Sequence, residues 1–156
     1  MSSLTLDTSG VRRACPACGT TNRLRYETLE RRTQCASCHA PLGPSDAPVE
    51  APSAEAFDAA IRHSALPVLV DFWAPWCGPC RAVAPQLEIV ARREAGRWLV
   101  LKVNTDAVPE LGARFRIQSI PTMAAFAHGQ EVSRTSGARP ADGILAFMAG
   151  ATAQAV

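Results

Sequence analysis

The chain has 156 residues, 47% of them hydrophobic and 19% charged, enough for one globular core and a small appendage. Its formal net charge of +2 excludes a chain built mainly to bind nucleic acid or anionic membranes. Asp71 and Pro75 break the longest apolar stretch, around Pro67 to Trp76, short of the roughly 18 residues a membrane span needs. Met1 to Val11 lacks the cationic start and apolar block of a secretory leader, so a soluble cytoplasmic protein is expected.

The six cysteines fall into three Cys-x-x-Cys pairs, a spacing that suits metal or redox chemistry better than a disulfide framework. The first two pairs, Cys15-Pro16-Ala17-Cys18 and Cys35-Ala36-Ser37-Cys38, have sixteen residues between them. That is zinc-ribbon spacing, in which two turns each present two thiolates to one Zn2+. About 40 residues cannot bury much apolar surface. The metal would therefore supply folding energy that Leu24, Tyr26, Leu29 and Leu42 cannot, and its loss should unfold the module. Two other readings of this segment stay open. The four thiols also suit redox-sensitive disulfides, and six Arg against three acids in residues 1–44 suit a binding module. Tyr26 is its one aromatic stacking candidate, which argues against nucleic acid. His39 adjoins Cys38, but four Cys already complete a tetrahedron.

Residues 43–52, rich in Pro and without periodicity, read as a linker. Ser53 caps a helix to about residue 64, with Phe57 and Ile61 four apart. Val68 to Ala74 reads as a strand buried on both faces, of the kind found at the centre of parallel sheets. A helix from Pro79 to about Arg93 follows, kinked near Pro85. Next come a strand at Trp98–Val103 and a short helix at Val108–Phe115, together a right-handed parallel crossover. Thr122–Ala127 and Glu131–Ser136 flank His128-Gly129-Gln130 as a hairpin. A last helix runs from Pro140 to about Met148, and residues 151–156 form a tail.

The third pair ends the string Val70-Asp71-Phe72-Trp73-Ala74-Pro75-Trp76-Cys77-Gly78-Pro79-Cys80, a strand running through a turn into a helix start. There the helix dipole favours a Cys77 thiolate. Lowering an ordinary thiol by about 1.5 pKa units takes about 2 kcal/mol, which a dipole and nearby hydrogen bonds can supply together. Thioredoxin is a standard example of such a thiol. Asp71 lies in a buried strand, where a carboxylate is costly and its pKa should rise.

This string resembles thioredoxin, as do Pro85, Lys102, Ile120-Pro121-Thr122, Phe126-x-x-Gly129 and Gly137. The resemblance covers residues 53–150 and implies an α/β thioredoxin fold, a central mixed sheet flanked by helices. With the ribbon at residues 1–42, the chain is similar to the zinc-containing thioredoxin 2 subgroup. The resemblance implies a protein-disulfide reductase in which Cys77 attacks a substrate disulfide and Cys80 resolves the mixed disulfide. Asp71 would accept a proton, directly or through water, as Cys80 attacks; Lys102 would tune Asp71; and Pro121 would be cis and face the cysteines. Trp76, Gly78, Pro79, Ile120, Thr122, Gly137 and Ala138 would form an uncharged docking surface for disulfide-containing client proteins. No dinucleotide fingerprint is present and no bound organic cofactor is expected. NADPH would act through a partner, a thioredoxin reductase. The alternative from another class is a zinc-regulated binding or chaperone module that uses the fold as a docking surface.

Overall fold

The structure is a computed structural model and describes residues 4–154. Its first part is a three-stranded antiparallel sheet of β1 (Thr5–Leu6), β2 (Gly10–Ala14) and β3 (Thr21–Arg25), in that order. The Asp7 carboxylate closes the β1–β2 turn by accepting the Ser9 and Gly10 amides at 2.8 and 2.9 Å, a local bond that favours turns over longer strands. Gly10 is required at that point, because a Cβ there would run into the Leu24 carbonyl oxygen of β3. Leu6, Val11, Leu24 and Tyr26 are buried. The Tyr26 hydroxyl donates to the Asp7 carbonyl at 2.5 Å, which satisfies a polar atom that this small core takes inside.

The second sheet has five strands. In chain order the elements are β4 (Val49–Glu50), α1 (Ala54–His63), β5 (Val68–Trp73), α2 (Gly78–Arg93), β6 (Leu99–Asn104), α3 (Pro109–Arg114), β7 (Thr122–Ala127), β8 (Gln130–Ser136) and α4 (Ala141–Gln154). The strand order is β4-β6-β5-β7-β8, with β4, β6 and β5 parallel and β7 and β8 antiparallel. Ser53 caps α1 as expected, its hydroxyl accepting the Ala56 amide at 3.1 Å. The β7–β8 turn is tighter than the sequence suggests. Ala127 faces Gln130, so the loop is His128-Gly129 alone, both at positive φ, as a two-residue hairpin turn demands.

Alternation along the central strands sorts their residues onto two faces. Val68, Val70, Phe72, Leu101 and Val103 pack with Phe57, Phe115 and Phe126 on the α1 and α3 side, where Phe115 lies edge-on to Phe57 and Phe126. Leu69, Val100 and Met123 pack with Val83, Leu87, Ile144 and Met148 on the α2 and α4 side. Asp71, Lys102 and Glu50 share this second face by the same alternation.

Two expectations need correction. Residues 43–52 are more than a linker: Val49–Glu50 forms the edge strand beside β6, and Ala47, Val49 and Ala51 are buried. The expected tail at 151–156 begins as helix, because α4 runs to Gln154 and buries Ala151; residues 155 and 156 lie outside the described residues. The small sheet also does not stand apart. Its apolar residues are continuous with the α1 side of the larger core, and the Ala65 amide donates to the Tyr26 carbonyl at 2.9 Å.

Candidate redox centre and metal site

The β5–α2 junction aims a first-turn helix amide at one sulfur. Cys77 is the N-cap residue of α2, Pro79 sits in the first turn, where its missing N–H costs nothing, and the Cys80 amide donates to Cys77 Sγ at 3.2 Å. This bond and the dipole favour negative charge on that sulfur. Cys77 and Cys80 are joined as a disulfide with Cα atoms 5.3 Å apart; both are buried, each 4% exposed.

Cys77 Sγ lies 3.8 Å from the Ile120 carbonyl oxygen, and the Ile120–Pro121 peptide is cis. The Gly137 amide donates to the Pro121 carbonyl at 2.9 Å, which brings Gly137 and the exposed Ala138 beside this loop. Thr122 turns inward, its hydroxyl donating to the Ser119 carbonyl at 2.6 Å; it braces the loop and presents no side chain to solvent. Trp76 is 67% exposed, yet its indole N–H is fixed on Asp106 Oδ2 at 3.0 Å. Between Trp76 and Ile120 lies a shallow cleft of about 190 Å³ that also takes in Thr105, Gly112, Ile117 and Ser119.

Asp71 is 1% exposed, and its Oδ1 has no hydrogen-bond partner among the described residues. Burial pushes its pKa up to about 7; Lys102 pulls it down and Glu50 raises it further. The three charges occupy one rung across the sheet, since Glu50 on β4 and Asp71 on β5 both face Lys102 on β6. The Lys102 ammonium stands 4.2 Å over the Trp73 ring. Trp73 in turn donates its indole N–H to Glu50 Oε1 at 2.9 Å, an oxygen that also accepts the Asn104 amide at 2.9 Å.

The four remaining cysteines converge, with all sulfurs within 4.8 Å of one another. Cys15 and Cys38 sulfurs are 3.7 Å apart and those of Cys18 and Cys35 are 3.6 Å apart. A tetrahedron with Zn–S bonds of about 2.3 Å has edges of about 3.8 Å, so four thiolates at these spacings fit Zn2+. The two turns are built alike. Gly19 and His39 donate their amides to the Cys15 and Cys35 carbonyls, each at 2.9 Å, and both have positive φ. Ala17 and Ser37 amides approach the Cys15 and Cys35 sulfurs at 3.4 Å. The amides of Cys38 and Ser37, with the Asn22 carboxamide, lower the Cys35 thiol to about 6. At Cys38 the lowering by the Ala40 amide is outweighed by burial and the neighbouring sulfurs, which raise that thiol to about 11, so the close sulfurs divide into one that ionises readily and one that holds its proton. His39 itself is exposed. Of the six arginines here, Arg13, Arg23, Arg25 and Arg31 are paired with Asp46, Asp7, Glu27 and Glu30, which further weakens the nucleic-acid reading.

The thioredoxin family model matches residues 48–150. The chain belongs to the thioredoxin family. It is 41% identical over 125 residues to thioredoxin C-3 of Corynebacterium nephridii, a match covering 80% of this chain and 83% of the relative. It is 49% identical over 87 residues to thioredoxin 1 of Chlorobaculum tepidum, covering 56% of this chain and 86% of that one. A solved structure of a mutant thioredoxin from Halobacterium salinarum superposes with a TM-score of 0.63 at 27% identity, covering 69% of this chain and 93% of the other. The chain is a thiol-disulfide oxidoreductase with the disulfide-reductase activity of thioredoxins. Of the thioredoxin-like residues expected from sequence, Trp76, Cys77, Ile120, Pro121 and Gly137 come together past the end of β5. Asp71 and Lys102 face each other within the sheet, and Phe126 and Gly129 lie toward the opposite end of β5. The four ribbon cysteines gather in a separate cluster. Sequence reading missed Glu50 and Asp106. Glu50 was hidden among prolines, and Asp106 lies in the turn after β6 with no motif to mark it.

Proposed function

We propose that this chain is a cytoplasmic, zinc-containing protein-disulfide reductase of the thioredoxin 2 type, recharged by a flavin-dependent thioredoxin reductase at the expense of NADPH. The observation that carries it is a Cys-Gly-Pro-Cys pair at a helix N-terminus, capped on Cys77 Sγ, with a buried carboxyl on the adjoining strand. In reduced protein the Cys77 thiolate attacks one sulfur of a client disulfide. A Cys77–client bond forms, and the other client sulfur leaves as thiolate. Asp71 then takes the Cys80 proton, directly or through water. Cys80 attacks Cys77 Sγ, and the second client sulfur departs and picks up a proton. The client disulfide has gained two electrons and the Cys77–Cys80 dithiol has lost them. Lys102 moderates the Asp71 charge. The client backbone lies along Ile120–Thr122, where the Ile120 carbonyl and Pro121 stand beside Cys77, against Trp76, Gly78, Pro79 and the Gly137-Ala138 edge.

Cys15, Cys18, Cys35 and Cys38 would hold one Zn2+, which supplies a tetrahedral cross-link between the two turns. The test is NADPH-driven reduction of a protein disulfide with thioredoxin reductase, with metal release followed by a chromogenic chelator. Turnover should vanish in Cys77→Ser while one zinc per chain is retained. Folded, metal-loaded wild-type protein without turnover would refute the reductase assignment. In single-turnover experiments Asp71→Asn should slow mixed-disulfide resolution more than initial attack; equal slowing of both steps would remove Asp71 from the mechanism.

A further inference from the structure

We propose that Glu50 is a positioning residue for the disulfide-exchange reaction, one that competes with Asp71 for Lys102 across the sheet and anchors the aromatic ring on which that ammonium rests. The inference rests on the proton-accepting role given to Asp71 above. Three observations carry it. The register puts Glu50, Lys102 and Asp71 on one rung of three adjacent parallel strands, with the lysine in the middle. Alternation directs all three to the α2 face, since their neighbours Val49, Val70, Leu101 and Val103 fill the opposite one. A single Glu50 oxygen holds both Trp73 Nε1 and the Asn104 amide at 2.9 Å, so its place is fixed by β5 and β6 together.

The consequence is electrostatic. With one ammonium between two carboxylates, the Glu50 charge offsets part of the stabilisation that Lys102 gives an ionised Asp71. Lys102 leans on Trp73 at 4.2 Å, forms no direct ion pair with either carboxylate among the described residues, and so leaves Asp71 incompletely neutralised. A buried acid fully paired with a lysine would stay ionised and be a weak proton acceptor. The groups around Asp71 are few. Lys102 on β6 and Glu50 on β4 act on its charge, β7 places apolar Met123 opposite it, and α2 begins with Cys77 and Cys80, which carry no titratable thiol while disulfide-bonded.

Glu50→Gln tests the charge alone, because a glutamine oxygen can still accept from Trp73 and Asn104. Two strand spacings put Glu50 about 10 Å from Asp71; at effective dielectrics between 20 and 80, losing that charge lowers the Asp71 pKa by about 0.3–1.2 units. The first readout is the Asp71 carboxyl carbon, titrated by NMR in oxidised wild type and Glu50→Gln. The second is the pH profile of mixed-disulfide resolution, whose rising limb should move to lower pH by the same amount. An unmoved carboxyl titration, or a moved titration with an unmoved kinetic profile, overturns the proposal. Asp71→Asn in the same assay separates the two readings. If its resolution rate rises only at the higher pH where the Cys80 thiol ionises by itself, the Asp71 role stands whatever Glu50→Gln does. If the limb stays at its wild-type pH, the Asp71 role fails and the positioning role falls with it, although the NMR shift would still report the charge coupling.

Discussion

Asp71→Asn should make the oxidised protein more stable, and increasingly so as pH rises. Folding takes this carboxyl from an ordinary pKa of 3.8 to about 7, so between those values the folded state holds a proton that the unfolded state has released. Stability therefore falls as pH climbs from about 4 to 7. The full penalty, about three pKa units or about 4 kcal/mol, is reached only above the folded value. The same linkage gives a penalty of about 1.5 kcal/mol at pH 5, hence a difference of about 2.5 kcal/mol between pH 5 and pH 8. Asparagine cannot ionise but brings an amide into a place where one oxygen already lacks a partner, at a cost of about 1–3 kcal/mol. That cost does not depend on pH. The net stabilisation at pH 8 is then about 1–3 kcal/mol, but the change between the two pH values survives whatever the amide costs. Guanidinium unfolding of oxidised wild type and variant at pH 5, 6, 7 and 8 measures it, with Cys77 and Cys80 silent in the disulfide. A stability difference that stays constant across this range would refute the raised pKa and, with it, the physical basis for Asp71 as a proton acceptor near neutrality.

Other outcomes follow from single contacts. Stripping the metal with a chelator should abolish hydrogen-exchange protection in β1–β3 while leaving β5, β6 and β7 protected, because the core on the α2 face contains no ribbon residue among the described residues; equal loss in both sheets would show that the core cannot stand without the ribbon. Gly10→Ala pushes a methyl into the Leu24 carbonyl and should cost the ribbon about 1–3 kcal/mol, read in chelator competition as a loss of zinc affinity of about fivefold to about a hundredfold. Ser53→Ala removes the α1 cap and should lower stability by about 1 kcal/mol in thermal unfolding, with disulfide-reductase turnover unchanged.

What the sequence made legible was local chemistry. A strand, a turn and a helix start stand within the eleven residues from Val70 to Cys80, so the neighbourhood of the redox pair is written contiguously. The two cysteine turns are equally local, and the sixteen residues between them already suit four thiols converging on one point. What stayed hidden depends on register between distant segments. Glu50 meets Lys102 only because β4 pairs with β6, and two residues flanked by Pro48 and Pro52 are too few to show a strand period. The continuation of α4 past Met148 was obscured for a different reason. Ala149-Gly150-Ala151-Thr152 has no apolar stripe, yet Ala151 is buried and the Thr152 hydroxyl bonds back to the Met148 carbonyl.

The sheet divides its labour between its faces, and the division explains how a ribbon joins this fold without blocking the redox centre. The α1 face carries the phenylalanine cluster and merges with Leu6, Val11, Leu24 and Tyr26 of the ribbon; it is apolar throughout its centre. The α2 face carries the buried acid, the lysine and Glu50, and its helix begins at the redox pair. A carboxyl can keep a pKa near 7 there because one shared lysine does little to offset its burial. Had the ribbon added charged or polar groups to that face, the added partners would have stabilised the ionised form. Packing the ribbon against the apolar face and along β4 keeps ribbon side chains out of the core on the α2 face among the described residues, so the charges acting on Asp71 are those of Lys102 and Glu50.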